Sequence, residues 1–451
     1  MFTSASRTRR PVSVFGWIAR ILGGAAILVV VLFCGLFAYY YQFVYRPQEA
    51  FVRLSGPDRR LAIYDAFAAQ IDRHYYDQSF TGFDWPTMRQ EGRTKAAATP
   101  NDLSLYLDVL FQMTQRFPAS HVLASPPTPP TPPKEAKAAM AANVAPTPNA
   151  VCTDRNRGLQ YVQIRRGRGT LTVVGEVWPG SPAARAGVTP GLVVESLQET
   201  GGRGQRHFKA TFIQLDLGQM HAIEGTGSVQ LSGTDLERLR RPVDFKYRCG
   251  TSSVGPFETR RLPSGALYIR FDAFQLPVLK QVEAALRTAS GPGVVLDLRS
   301  NVGGYSILAL NLLIPPSTPV YFERRAGSRR RISTDRSTWR YSGPVVVLIG
   351  PASASAAEVT AAALKREHRA SLVGRKTNGS VLGSNTFLLP DGGMVQVPVI
   401  DIEMLDGRRL EGAGVAPDIE VYPTEIDLLA GRDPALERAE RELLLGNAAP
   451  R

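Results

Sequence analysis

Between Pro344 and Val359 the chain passes from an unbroken apolar run, Val345-Val346-Val347-Leu348-Ile349, through Gly350-Pro351 into an Ala-rich stretch that begins near Ser355. A β-branched run of this kind is a buried strand and Gly-Pro is a strong break, so the segment reads as strand, turn and helix. The same alternation recurs on both sides. Strands are expected at 266–271, 294–298, 345–349 and 371–373, with helices running to Arg287, after Gly304 and after Ser355. That pattern predicts a mixed α/β sheet. It also puts Ser355 in the first turn of a helix, where unpaired N–H groups favour a developing alkoxide or oxyanion. The position equally suits a serine that only caps the helix.

Counted from Ser355, Glu358 lies at +3, Arg369 at +14, Gly374 at +19, Thr377 at +22 and Gly379 at +24. Upstream stands Asp297-Leu298-Arg299-Ser300-Asn301-Val302-Gly303-Gly304; downstream stand Leu389-Pro390-Asp391-Gly392-Gly393 and Gly412-Ala413-Gly414-Val415-Ala416-Pro417-Asp418. These motifs, in this order, resemble the tail-specific, or C-terminal-processing, serine peptidases over roughly residues 55–425. The resemblance implies an α+β multidomain protein with a mixed α/β, crotonase-like peptidase core at 262–425. It implies protein or peptide substrates, an acyl-enzyme mechanism and no cofactor. One departure falls at the catalytic centre: the family's lysine base belongs at +25, and Ser380 occupies that place.

A serine hydroxyl needs a general base within hydrogen-bond reach. Lys376 reads as a loop lysine, and Lys365 and His368 lie too far along the Ser355 helix, by more than about 14 Å of rise. His121 follows Ser120 in Phe117-Pro118-Ala119-Ser120-His121-Val122. Similarity to the tricorn-type branch of the family implies a Ser-His pair at this place and a glutamate just before the closing Gly-Val-x-Pro-Asp, here Glu411. The implied catalytic set is Ser355 as nucleophile, His121 as base, and Glu411 and Ser120 as hydrogen-bonding support. The N–H groups of Gly303 or Gly304 and of Ala356 would then form an oxyanion hole. Each residue alone has a plainer reading: a core or surface histidine, a solvated glutamate, a tight Gly-Gly turn.

Residues 151–255 resemble a PDZ module. Gly158, Leu159 and Tyr161 would form its peptide-binding loop and leading strand, and Pro179–Gly187 its short helix. Backbone N–H groups in such a loop cradle a C-terminal carboxylate while the peptide adds a strand; a module that only packs or regulates is the alternative. Cys152 and Cys249 flank it, either as a disulfide clamp or as two free thiols. Three cysteines and five scattered histidines give no metal-site spacing.

Residues 21–45 are uncharged and mostly apolar, enough for a helix of about 37 Å. Arg7, Arg9, Arg10 and Arg20 precede the run, and four tyrosines crowd its far end. The expectation is a basic cytoplasmic segment at 1–20, a single-pass anchor in the cytoplasmic membrane at 21–45 and an extracytoplasmic, periplasmic remainder. A cleaved signal peptide is the competing reading, against which the run is long and no small-x-small site follows. A helical domain is expected at 50–123, with Thr99-Pro100 opening its last helix. A Pro/Ala-rich linker follows at 124–150, and a helical tail at 426–451. Net charge of +13 comes with no nucleic-acid-binding motif, so the lipid bilayer and protein substrates are the expected partners. The densest arginine cluster, Arg324 to Arg340, reads as a solvated loop or flap. A scaffold that has lost its catalytic lysine is the other function class.

Overall fold

A computed structural model describes residues 46–127, 157–166, 169–177, 181–200, 206–214, 239–247, 257–336 and 339–446. The expected anchor at 21–45, the basic segment before it, most of the linker, Cys152 and Cys249 lie outside the described residues. Among those described, no helix is long and apolar enough to cross a membrane.

The alternating segments build one six-stranded sheet. Its order is Ile419–Glu420, Ser371–Gly374, Val345–Ile349, Val294–Asp297, Leu267–Arg270 and Glu258–Arg261. The first five strands are parallel and the last is an antiparallel edge. Parallel neighbours need long crossovers, which the helices Leu276–Arg287, Ser306–Leu313 and Ala356–Arg366 supply. Side chains alternate between the two faces. Val345, Val347, Ile349, Val294 and Leu296 pack beneath those three helices. Val346, Leu348, Val295 and Val373 face the other way, onto Ala435, Ala439 and Leu443. These last residues recur every fourth position on the helix Pro434–Leu444. The expected tail is therefore the cover of the sheet's second face, because a strand this apolar needs burial on both sides.

The helical domain comprises Gly56–His74, Trp85–Ala98 and a broken third helix, in which a π-helical stretch, Leu105–Leu110, separates Asp102–Ser104 from Phe111–Thr114. Asn101, rather than Thr99, caps the third helix by accepting from Ser104 N at 2.9 Å. Ile63, Tyr64, Phe67 and Ile71 form the buried stripe, and Val395 and Val397 of the long strand Met394–Met404 join the same core. Farther along that strand, Ile402 and Met404 belong to the core of the α/β sheet and its helices. One strand thus runs through both bodies.

Two boundaries differ from expectation. Leu123–Ser125 is a strand paired with residues 394–396, so the domain runs through Ser125 and the linker starts later than residue 124. The arginine cluster is mostly a β-hairpin, Pro319–Arg325 with Ser328–Ser333, not a loop. Its charges are compatible with a strand pair because Glu403 accepts from Arg324 and Arg329, and Glu323 from Arg330. Arg340 turns inward and donates to the carbonyl of Ile314 at 2.7 Å.

The segment expected to be PDZ-like forms a five-stranded antiparallel sheet, from Leu159–Arg166 to Arg240–Tyr247, with the short helix Pro182–Arg185. Leu159, Val174, Leu192, Phe208 and Phe212 form its core.

Candidate active site

Ser355 stands at the junction where Val345–Ile349 gives way to the helix Ala356–Arg366. Ser353, fully buried, ties this turn down: its Oγ donates to the Leu298 carbonyl at 2.8 Å and accepts Gly350 N at 3.0 Å. Ser355 itself has φ 56° and ψ −120°. Positive φ in a residue with a Cβ stores about 1–3 kcal/mol of strain, held only where the surroundings enforce it. The enforcing contacts are those of the Ser355 N–H, which donates to the Ser380 carbonyl at 2.8 Å and to Glu358 Oε2 at 3.0 Å. His121, with φ 65°, is held in the same unusual region.

Glu358 is the part of the site that had not been singled out from sequence as a site residue. It is fully buried, and besides Ser355 N it accepts Thr377 Oγ1 and Gly379 N at 2.6 Å and Ser380 N at 2.9 Å. Burial raises its carboxyl pKa, and these donors oppose that rise. The readable signal was the Ser-x-x-Glu spacing of a capping box. One carboxylate thereby fixes both the Ser355 backbone and the loop 377–380 across from it.

Ser380, at the position where the resemblance expects lysine, adjoins Ser355 through its carbonyl. The next residue, Val381, donates its N–H to Glu411 Oε2 at 2.8 Å. Glu411 also accepts Ser120 N at 2.7 Å and Ser120 Oγ at 3.1 Å. Ser120 Oγ then lies 2.6 Å from His121 Nδ1. An ionised carboxylate only accepts, so the Ser120 hydroxyl proton points to Glu411 and its lone pair receives a proton carried on Nδ1. That arrangement leaves Nε2 unprotonated. Burial pushes the His121 pKa below the ordinary 6.5, while the Glu411 charge pulls it upward. No hydrogen bond joins Ser355 Oγ to His121; the two are linked through the backbone of 380–381 and Glu411.

The lysines are elsewhere. Lys376 is exposed, and Lys365 bonds the Ala416 carbonyl and pairs with Asp418 at 2.8 Å.

The Gly-Gly loop meets Ser355 from the opposite side. A Cβ on Gly303 would lie 2.6 Å from Ser355 Cβ and 2.9 Å from its Oγ. Gly303 N already donates to Asn301 Oδ1 at 2.9 Å. The N–H groups of Gly304 and Ala356 have no partner among the described residues. Behind the loop, Asp297 accepts from Tyr268 at 2.7 Å and pairs with Arg299, which also reaches Asp433. Burial would raise the Asp297 pKa, but the Arg299 charge and hydrogen bonds bring it down to about 2.

In the antiparallel module Gly158 has φ 85°, and its carbonyl accepts Ser181 Oγ at 3.1 Å. Leu159 is wholly buried in the module's core. Tyr161 lines a cleft of about 820 Å³ between the module and the sheet edge around Arg260 and Arg270.

The model of peptidase family S41 matches residues 265–421. The chloroplastic C-terminal processing peptidase of Tetradesmus obliquus is 27% identical over 397 residues, which is 82% of this chain and 79% of that protein. The carboxyl-terminal-processing protease of Synechocystis sp. is 30% identical over 292 residues, 60% of this chain and just under two thirds, 64%, of that protein. The solved structure of the photosystem II D1 C-terminal processing protease superposes with a TM-score of 0.52 at 22% identity, covering 84% of this chain and 97% of that one. At that identity the likeness is one of fold.

Proposed function

We propose that the chain is a C-terminal-processing serine peptidase of family S41, whose model matches residues 265–421, and that it is an endopeptidase whose base is His121 rather than a lysine. The observation that carries this reading is the unbroken relay from Glu411 through Ser120 Oγ to His121 Nδ1, set beside the loop that holds Ser355. His121 Nε2 takes the Ser355 proton as Oγ attacks the scissile carbonyl and returns it to the leaving amine. Glu411 and Ser120 hold the imidazole in the tautomer this requires. The Gly304 and Ala356 N–H groups receive the oxyanion at a helix start, where partial positive charge already resides.

On the same reading the antiparallel module is PDZ-like. It grips substrate C-termini through the backbone at Gly158, Leu159 and Tyr161, while residues 21–45 anchor the protein in the cytoplasmic membrane with the peptidase outside. A fluorophosphonate probe tests the enzyme claim: labelling of the wild type and not of Ser355→Ala supports it. Absence of labelling in both would instead favour a non-catalytic scaffold. Protease accessibility in intact spheroplasts tests the topology, and a protected peptidase domain would contradict it.

A further inference from the structure

The broken third helix of the helical domain is apolar on two sides. Leu105, Tyr106, Val109, Leu110 and Met113 are buried in the domain's core. Leu103, Leu107 and Phe111, spaced four apart, are 54, 53 and 42% exposed. Residues four apart on a helix are neighbours, so these three make one stripe about 12 Å long at 1.5 Å per residue. Single exposed leucines need no explanation, but a helix that is apolar on both sides has a second surface to cover. Asp108 and Gln112 are exposed beside the stripe, which suits a boundary between apolar and aqueous layers better than a protein core.

The stripe adjoins the place where the apolar run 21–45 enters the domain. The helix Arg46–Val52 begins at the residue after that run and, at 7 residues, is about 10 Å long. Arg59 fixes its end to the head of the third helix. The guanidinium lies over the Phe51 ring, 4.4 Å from its centroid, and Nε donates to Asp102 Oδ2 at 2.8 Å. Val52, next to Phe51, is 71% exposed, just as Leu103 is exposed next to Asp102. With residues 21–45 spanning the bilayer, this junction stands no farther than about 10 Å from the end of the span, within reach of the headgroup layer. We infer that Val52, Leu103, Leu107 and Phe111 rest on the lipid bilayer, at the level of the headgroups and upper acyl chains, and hold the helical domain down beside its anchor. The inference rests on the anchored reading of residues 21–45. So short a tether keeps the local lipid concentration high, and a few half-exposed side chains then suffice for contact.

The test uses the full-length protein in phosphatidylethanolamine–phosphatidylglycerol vesicles that carry a lipid with a diazirine in its upper acyl chain. Lipid adducts formed on irradiation are mapped by mass spectrometry. Adducts are expected within 21–45 and within 102–116. Combining Leu103→Ser, Leu107→Ser and Phe111→Ser should lower the yield in 102–116 at least about tenfold and leave that in 21–45 unchanged. Leu107→Glu alone serves if the triple variant does not fold, and should lower the same yield about threefold or more. Adducts in 21–45 with none in 102–116, or an unchanged yield in these variants, would overturn the inference and leave the anchor standing. A dimer that comes apart in the triple variant, with no lipid adducts on the stripe, would assign the surface to a second copy and overturn it as well. Adducts in neither segment would refute the anchored reading itself, and the inference with it.

Discussion

Replacing Glu411 with glutamine should reverse the relay, because it exchanges an acceptor for a donor. In the wild type, Glu411 Oε2 receives both Ser120 Oγ and Val381 N, at 3.1 and 2.8 Å. In Glu411→Gln the amide oxygen can keep the contact with Ser120 N, and the NH₂ group then faces Ser120 Oγ. The amide donates, so the Ser120 hydroxyl turns and gives its proton to His121 Nδ1, 2.6 Å away. The imidazole proton moves to Nε2, the atom that should accept from Ser355. An enforced wrong tautomer of this kind lowers kcat by about 10⁴-fold in the best-characterised triad. The hydroxyl placed between carboxylate and ring softens the effect, so a loss of about 10²- to 10⁴-fold is expected, with KM little changed. Stability should fall separately by about 1–3 kcal/mol, since Val381 N is left facing a donor. The assay is burst-phase hydrolysis of an activated peptide ester, normalised to sites titrated in the same preparation, with thermal unfolding measured alongside. Ser120→Ala removes the relay without imposing a tautomer and should lose less than Glu411→Gln. Acylation within threefold of wild type in Glu411→Gln, in folded protein, would refute the relay.

Three further outcomes follow from the same contacts. Gly303→Ala places a Cβ 2.6 Å from Ser355 Cβ at φ 112°, so both fluorophosphonate labelling and melting temperature should drop; a fully labelled, stable variant would refute the close approach of this loop to Ser355. Asp297, held at about 2 against an ordinary 3.8, contributes about 2 kcal/mol of stability that is present above about pH 4 and lost as pH falls to about 2. Acid unfolding of Ser355→Ala should therefore be steeper than that of Ser355→Ala with Asp297→Asn, and equal slopes would remove Asp297 from the account. Finally, Ser380→Lys in a His121→Ala background should regain measurable labelling, because residue 380 adjoins Ser355; no gain over His121→Ala alone would show that the vacated place cannot accept a lysine base.

The peptidase core was legible because its strands are buried on both faces and its turns carry Gly and Pro, signals that local sequence cannot hide. Val345–Ile349 and the helix after Ser355 are the clearest case. The helix Pro434–Leu444 was legible as a helix but not as a cover, since Ala435, Ala439 and Leu443 do not name the surface they meet. The arginine hairpin was hidden for the opposite reason: its charges look solvated until Glu323 and Glu403 are seen opposite them. In the site, Ser355 announced itself through local context. The contact of Ser120 with Glu411 spans 291 positions, and no spacing rule encodes it; only family resemblance suggested that pair. Glu358 and Asn301 were in view as motif letters, but their buried hydrogen bonds to loop N–H groups became readable only with the loops folded around them.

The pH dependence of the acylation rate tests the histidine base most directly. Burial holds the His121 pKa below 6.5, so wild-type acylation should stay level through neutrality and fall with a single midpoint below 6.5. His121→Ala should abolish that limb together with most of the rate, while Lys376→Ala should leave both intact. A midpoint in the alkaline range, or a normal profile in His121→Ala, would contradict the account and return the base to a lysine.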